Sequence, residues 1–408
     1  MKIYITCEPF STPKTGDYDY VYQLSRLIPD AELLKTDNNE MRDLYLDTLY
    51  DGKKDNYKSF MKKYNKLYNN KKRQLLVKTY IDKILDNSDN KKILWLNLRP
   101  PESGFLFFPD DLKRLKRNGI KILITVHEFY INIYRKYNKI ITINLLKYAD
   151  HVIFFNKIDA NEAVKMGMKN NFSFTKQLRT CYIDTISPLK RDNNILFFGI
   201  IRPNKGLENI IKLVKLLYKY NKKYDNKIDV NNVFVIGKIE LDNPLIKKWI
   251  KCISDNYKDI VDNNLNVKYP YDDILKIYKN PSDTEIKNIT NKCRYMYKSD
   301  GKGFANNSSS LINLLYMGGL LFTKWSQFTP KYLIDKNSEY YGSVMFQKKQ
   351  DNNILNDKIP GPVDVLYNIK TMTDKKYADH INKVRLLLNN EYNPDKIINN
   401  LVNILNNL

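Results

Sequence analysis

The sequence has little with which to bind a metal. Its 408 residues include four cysteines and three histidines. Cys7, Cys181, Cys252 and Cys293 stand far apart and at no metal-ligand spacing. That argues against a His/Cys metal centre, and free buried thiols in a reducing compartment are expected instead. Long apolar runs are also missing. None approaches the ~18 residues needed to cross a bilayer, and the few residues between Lys2 and Glu8 are too short for a signal-peptide core. The longest run, Leu314 to Thr323, is interrupted by Gly318 and Gly319 and reads as the end of a helix followed by a strand. A cytoplasmic protein is expected, with at most a peripheral contact on an anionic membrane.

Acidic residues are scarce relative to basic ones. The chain has 45 Asp and Glu against 68 Lys and Arg, a net charge of +23. An excess of that size draws a nucleotide, a nucleic acid or an acidic membrane surface. A second account of part of it is the Asn, Ile, Lys and Tyr bias of an AT-rich genome, viral genomes included. The basic residues are spread throughout and no recognised nucleic-acid motif appears, so no specific nucleic acid is expected as a partner. Hydrophobic residues make up 43% of the chain, enough for two domains with a core each.

The most informative stretch runs from Asn194 to Tyr218. Ile195 to Ile201 is an apolar run of strand length, and from Leu207 apolar residues recur at 207, 210, 211, 214 and 217, one face of a helix. Between them stand Gly199, Arg202, Lys205 and Gly206. A loop that enters a helix this way can bring backbone N–H groups and two cations to one anion, a phosphate above all. The alternative is that Gly206 only permits a turn and Lys205 only solvates it.

Around this stretch strands and helices alternate. Met1–Cys7 reads as a strand and Val21–Ile28 as a helix, with Thr15-Gly16-Asp17 at their junction. Residues from about 38 to 91 read as a helical insertion or αα-hairpin, with Met61, Tyr64, Leu67 and Tyr68 at helical spacing. It serves either for acceptor or membrane contact or simply as a solvated helical face. Ile93–Asn97, Pro109–Asn118 and Lys121–Val126 continue as strand, helix and strand, and Ala149–Asn156 as a further strand before a short helix ending near Gly167. The stretch 178–193 is the candidate linker. Then follow strand Val233–Gly237, helix Pro244–Ile253, a short strand Val267–Pro270, strand Leu320–Thr323, strand Tyr341–Phe346, and two helices over 375–408 parted near Pro394. Such alternation predicts parallel βαβ units with helices on both faces.

Ligands gather at the carboxyl ends of strands in such sheets. His127 and Glu128 stand at one of these ends, whereas His151 opens a strand and is assigned no chemistry. Asn307, Ser308, Ser309 and Ser310 precede an apolar helical run closed by Gly318-Gly319. They read as an N-cap, or as hydroxyls and N–H groups facing an anion. Asp17-Tyr18-Asp19 spells the Asp-x-Asp of metal-dependent transferases, but it falls at a helix entry.

These segments resemble the GT-B glycosyltransferases, specifically the large retaining family usually called family 4. The family pattern after the strand is Gly-Arg-Leu-x-Pro-x-Lys-Gly, whose Arg and Lys grip the diphosphate of a nucleotide sugar. Gly199, Pro203, Lys205 and Gly206 match; Ile200 stands where the Arg would, and Arg202 lies two residues later. Thr125-Val126-His127-Glu128 resembles the family's Thr-Val-His-Asp, whose His faces the donor sugar. Ala149-Asp150-His151-Val152-Ile153 resembles its Ala-Asp-x-Val-Ile, the last strand of the N-terminal domain. Gly16 falls in the glycine-containing loop near the first helix. The family's Glu-x7-Glu is absent, with Asn313 in place of the second Glu, and the Asn307–Ser310 helix start is closer to a Thr-Ser-Gly-Ser type. The resemblance covers roughly residues 120 to 325.

It implies an α/β GT-B fold, two Rossmann-like parallel-sheet domains facing each other across a cleft. The expected divisions are an acceptor-side domain over 1–188, a nucleotide-sugar domain over 189–375 and closing helices over 376–408. The implied activity moves a sugar from a nucleotide-diphosphate donor to a glycan-, lipid- or protein-linked acceptor, with anomeric configuration retained and no metal or resident cofactor. His127 would be catalytic. Gly16, Gly199, Arg202, Lys205, Asn307, Ser308, Ser309 and Ser310 would bind the donor. The missing Arg and Glu pair keep open a scaffold that binds without turnover.

Overall fold

The computed structural model describes residues 1–6, 16–34, 57–98, 106–127, 129, 136–179, 191–298, 308–326, 329–346 and 361–408. The chain forms two compact units, Met1–Leu178 with Pro394–Leu408, and Arg179–Asn393.

The first unit runs β1 (Lys2–Thr6), α1 (Gly16–Leu27), β2 (Ala31–Leu34), α2 (Tyr57–Tyr68), α3 (Lys71–Asp86), β3 (Lys92–Leu98), α4 (Pro109–Arg117), β4 (Lys121–Val126), α5 (Lys136–Leu146), β5 (His151–Phe154), α6 (Lys157–Lys165) and β6 (Phe172–Phe174). All six strands are parallel, in the order β2-β1-β3-β4-β5-β6. Alternate residues of β3 serve the two faces, since side chains alternate along a strand. Ile93 and Trp95 pack with α1, whereas Leu94, Leu96 and Leu98 pack with α3 to α6. Helices therefore cover both sides of the sheet.

The insertion is an αα-hairpin in its described part. Asn70 caps α3 by accepting from the N–H groups of Lys72 and Arg73 at 3.0 and 3.2 Å. Arg73, buried, lays its guanidinium 4.0 Å from the centre of the Phe108 ring and donates from Nε to the Leu106 carbonyl at 3.0 Å. It also pairs with Asp111, whose carboxylate accepts the Phe108 N–H at 2.8 Å. Fixed in this way, the hairpin sends Leu67, Val77, Tyr80, Ile81 and Ile84 into the core and keeps a solvated face that carries Lys62, Lys66, Lys71, Lys72 and Lys78.

The second unit runs β7 (Asp192–Phe198), α7 (Leu207–Lys223), β8 (Val233–Gly237), α8 (Pro244–Asn256), β9 (Leu275–Lys279), α9 (Asp283–Thr290), β10 (Cys293–Tyr297), α10 (Ser309–Tyr316), β11 (Leu320–Thr323), β12 (Val344–Phe346), α11 (Pro362–Lys370) and α12 (Asp374–Glu391). Its parallel sheet has the order β12-β11-β10-β7-β8-β9. α13 (Pro394–Asn406) then returns to the first unit, where Ile397, Leu401 and Leu405 join Ile3, Ile5, Val21 and Leu24 in one core. Lys91 anchors its end by donating to the carbonyls of Leu405 and Asn406 at 3.4 and 3.1 Å.

Several expectations need correction. Of the closing helices α13 belongs to the first unit, and the division between units falls at 178/179 and not at 188/189. The strand at 151–154 is not the last of its sheet, because β6 follows as an edge. Val267–Pro270 is not a strand; Val267 forms one isolated antiparallel bridge with Val261, and the edge strand is β9. β7 starts and stops three residues earlier than the apolar run suggests, because the chain turns at Gly199. Among the described residues no helix is long and apolar enough to cross a membrane.

Candidate functional site

In each sheet the strand order reverses at one place, between β1 and β3 in the first unit and between β7 and β10 in the second. The crevice beyond the carboxyl ends at such a switch point is where parallel sheets take their ligands.

At the second switch point β7 passes into Gly199, whose φ is +144°. Its N–H donates to the Ile236 carbonyl at 3.0 Å, and the Ile201 N–H to that of Lys238 at 2.8 Å, so the loop stays zipped to the end of β8. The close approach requires a glycine on the other side too, since a Cβ on Gly237 would lie 1.7 Å from the Gly199 carbonyl oxygen. Gly237→Ala is therefore expected to cost about 1–3 kcal/mol, the usual range for overpacking, and to displace the loop. An unchanged urea midpoint would show that the loop yields freely. Further along, the Lys205 N–H donates to the Arg202 carbonyl at 3.2 Å, and Gly206, at φ +89°, opens α7 with no side chain to cap it. Arg202 is exposed and Lys205 half-buried.

The serine helix meets this loop. A Cβ on Gly199 would lie 3.5 Å from the Ser310 Cβ, which brings the first turn of α10 against the backbone after β7. Ser308 occupies the N-cap position, but its hydroxyl makes no capping bond; it lies 3.3 Å from the Ser310 hydroxyl. The expected cap is thus corrected to a pair of neighbouring hydroxyls beside a helix N-terminus. Ser309 opens α10, and Asn307 lies outside the described residues. At the other end of α10 the Arg191 guanidinium donates to the carbonyls of Met317 and Cys293, the latter at 3.0 Å, a cation placed where the helix dipole favours one. Asn313 is buried in the same helix.

In the first unit His127 follows β4, and its N–H donates to the Leu98 carbonyl at 2.7 Å. Its Nε2 lies 3.3 Å from Asn97 Oδ1, while Asn97 Nδ2 donates to the Thr6 carbonyl at 3.2 Å across the β1/β3 switch point. With the amide N–H groups turned to Thr6, Asn97 offers the ring its oxygen, so Nε2 carries the proton. The rings of Tyr20 and Phe155 lie 5.3 and 5.0 Å from the imidazole, and burial pushes the Tyr20 phenol above its usual pKa. His127 is 2% exposed, so a ligand reaches it only if it lines the wall of its site.

Gly16 opens α1, and Asp17 and Asp19 lie within that helix and not at a strand end. Glu128 lies outside the described residues. His151, at the start of β5, bonds the Ser173 hydroxyl at 2.9 Å, and burial lowers its pKa. Among the described residues no group of three or more His, Cys, Asp or Glu side chains could hold a metal ion. One residue at the carboxyl edges is not marked by its local sequence, Asn97, which bonds both His127 and Thr6. Strand order alone brings it to the switch point.

A sequence model of the Dot/Icm T4SS effector family Ceg32/SidI matches residues 26–172, within the first unit. No curated protein sequence matches the chain. Among solved structures, an E. coli trehalose-6-phosphate structure bound with UDP-2-fluoro glucose is similar at a TM-score of 0.60 and 12% identity, over 100% of this chain and 99% of that one. The UDP-forming α,α-trehalose-phosphate synthase of Burkholderia xenovorans, in complex with glucose-6-phosphate, gives 0.65 and 12% over 99% of each chain. Anabaena HepE, in complex with UDP and glucose, gives 0.63 and 10% over 100% of each. The fold is GT-B. Each of its two Rossmann-like sheets contributes one of the constellations described above: His127 and Asn97 from the first, the Gly199 loop and α10 from the second.

Proposed function

We propose that the chain is a glycosyltransferase that moves a sugar from a nucleoside diphosphate sugar, a UDP-sugar in the first instance, to a glycan-, lipid- or protein-linked acceptor. The observation that carries this reading is the meeting of the Gly199–Gly206 loop with the Ser310 end of α10 at a switch point. The loop carries two cations and leads into the N-terminus of α7, and the N-terminus of α10 abuts its first residue, a combination suited to a diphosphate. UDP, or a UDP-sugar analogue, in GT-B structures of the same fold supports the choice of donor.

As the glycosidic bond breaks, the diphosphate gains negative charge and the sugar gains oxocarbenium character. Cations and N–H dipoles already in place stabilise that charge without reorganising, which is commonly the largest catalytic contribution. Lys205, Arg202, the first-turn amides of α7 and α10 and the hydroxyls of Ser308 and Ser310 serve this purpose. The departing phosphate takes the acceptor's proton on the face the donor leaves, which retains configuration and calls for neither a metal nor a paired-carboxylate site. His127 hydrogen-bonds the sugar.

Thermal unfolding in the presence of UDP, GDP and their sugars tests the reading. At 100 times its dissociation constant the cognate ligand stabilises by about 2.7 kcal/mol. Donor hydrolysis or transfer should then persist in excess EDTA. If no nucleotide shifts the transition, the donor site is wrongly assigned. Binding without hydrolysis or transfer would leave an inactive scaffold, and loss in EDTA with rescue by manganese would require a metal.

A further inference from the structure

The strand pairs of the second unit end with Phe198 beside Ile236 and Gly237 beside Lys279. Past them the chain is held by hydrogen bonds from Asn280, the residue after β9. Its N–H donates to the Gly237 carbonyl at 2.9 Å, its Oδ1 accepts the Ile239 N–H at 2.9 Å, and its Nδ2 donates to the Ile239 carbonyl at 3.0 Å. With both ends of the amide bonded to one residue, its orientation is fixed. The backbone of Asn280 is left-handed, at φ +53°, a conformation that asparagine takes more readily than most residues with a Cβ.

The Ile239 N–H belongs to the same peptide group as the Lys238 carbonyl, and that carbonyl accepts the Ile201 N–H at 2.8 Å. In a trans peptide the N–H and the carbonyl point in opposite directions. One edge of the 238–239 peptide therefore faces Asn280, and the other faces the chain that leaves Gly199. A hydrogen-bonded chain runs from the Asn280 amide through this peptide to Ile201, and bonds linked in this way polarise one another. The other acceptor, Gly237, is the residue whose lack of a Cβ lets Gly199 approach. Asn280 itself is exposed, so its bonds add little to the stability of the fold. What they fix is Ile201, the residue immediately before Arg202.

Resting on the donor site proposed above, we infer that Asn280 is a positioning residue for the diphosphate. Without touching the donor it holds, through the 238–239 peptide, the start of the loop that carries Arg202 and Lys205. A loop held before the ligand arrives loses less conformational freedom on binding it.

Calorimetry tests this with UDP, or with whichever nucleoside diphosphate the thermal screen selects. Asn280→Gly tolerates the left-handed backbone and removes the amide. Thr373→Ala is the comparison: Thr373 caps α12 by accepting the Lys376 N–H at 3.3 Å, next to the Asp374 that pairs with Arg294 near the start of β10, at the opposite edge of the sheet. Both variants should lose a similar, small amount of stability. Asn280→Gly should weaken the nucleotide about tenfold, well within what a misplaced group costs, whereas Thr373→Ala should leave its affinity unchanged. In the Lys205→Ala background Asn280→Gly should cost much less than it does alone, because a cation that it positions is gone; residues acting independently would give additive losses. Unchanged affinity in Asn280→Gly, an equal loss in Thr373→Ala, or additive losses in the double variant overturns the inference. If Asn280→Gly does not fold, Asn280→Asp, which keeps the oxygen that faces the Ile239 N–H and loses the Nδ2 donor, takes its place in the same comparisons. If the wild type binds no nucleoside diphosphate, the proposed function fails. If Lys205→Ala loses the nucleotide and Asn280→Gly does not, that function stands and the role of Asn280 falls.

Discussion

Lys205→Ala is expected to lower turnover by about 10²-fold or more, the loss typical of removing one preorganised group at a developing anion. Lys205 stands between two residues in the left-handed region, Asn204 at φ 63° and Gly206 at φ 89°, in a loop tied to β8 by backbone hydrogen bonds. Its backbone position is therefore set before any ligand arrives. Because the side chain is half-buried, its ammonium is less screened than a fully solvated lysine. Arg202 is exposed and should matter less, so an effect of Arg202→Ala below about tenfold is expected beside the larger one. Wild-type turnover of purified Lys205→Ala would remove this residue from the site and leave the diphosphate to helix N–H groups.

The element that carries Lys205 was legible because two independent patterns adjoin there: an apolar run of strand length and then the 3.6-residue period of α7. That combination locates a strand, a loop and a helix without any knowledge of neighbours. α9 carried a similar local signal, the capping box of Ser282 and Glu285, with the Glu285 N–H bonded to the Ser282 hydroxyl at 3.2 Å, and that signal went unread. β9 was hidden for a different reason. It is an edge strand whose residues are mostly half-buried, so Lys276, Tyr278 and Lys279 break up any apolar run.

The partners of each site residue were least legible. A serine before a helix reads as a cap, yet whether its hydroxyl turns to the backbone or to a neighbour depends on what packs against it. Ser308 faces Ser310. Asn97 gains its significance from strand order, and strand order follows from tertiary packing, which periodicity does not encode. His127 was legible as a strand-end residue, whereas the Asn97 carbonyl that sets its tautomer lies 30 positions away on another strand.

That arrangement governs the second large effect, on His127. If the imidazole hydrogen-bonds the donor sugar as the bond breaks, His127→Ala should reduce kcat by tens- to thousands-fold and leave the affinity for bare UDP within about threefold, since UDP carries no sugar. Alanine also removes a ring packed against Tyr20 and Phe155, and a buried cavity of that kind lowers stability by itself. His127→Gln separates the two consequences. The glutamine amide can reach the Asn97 oxygen as Nε2 does, so much of the fold's stability is kept while the Nδ1 lone pair is lost. Its kcat should fall nearly as far as that of the alanine variant, with an unfolding temperature close to wild type. If kcat in His127→Gln instead returns with stability, or if UDP affinity falls in parallel with kcat, His127 holds the β1/β3 edge together and the sugar is bound by other groups.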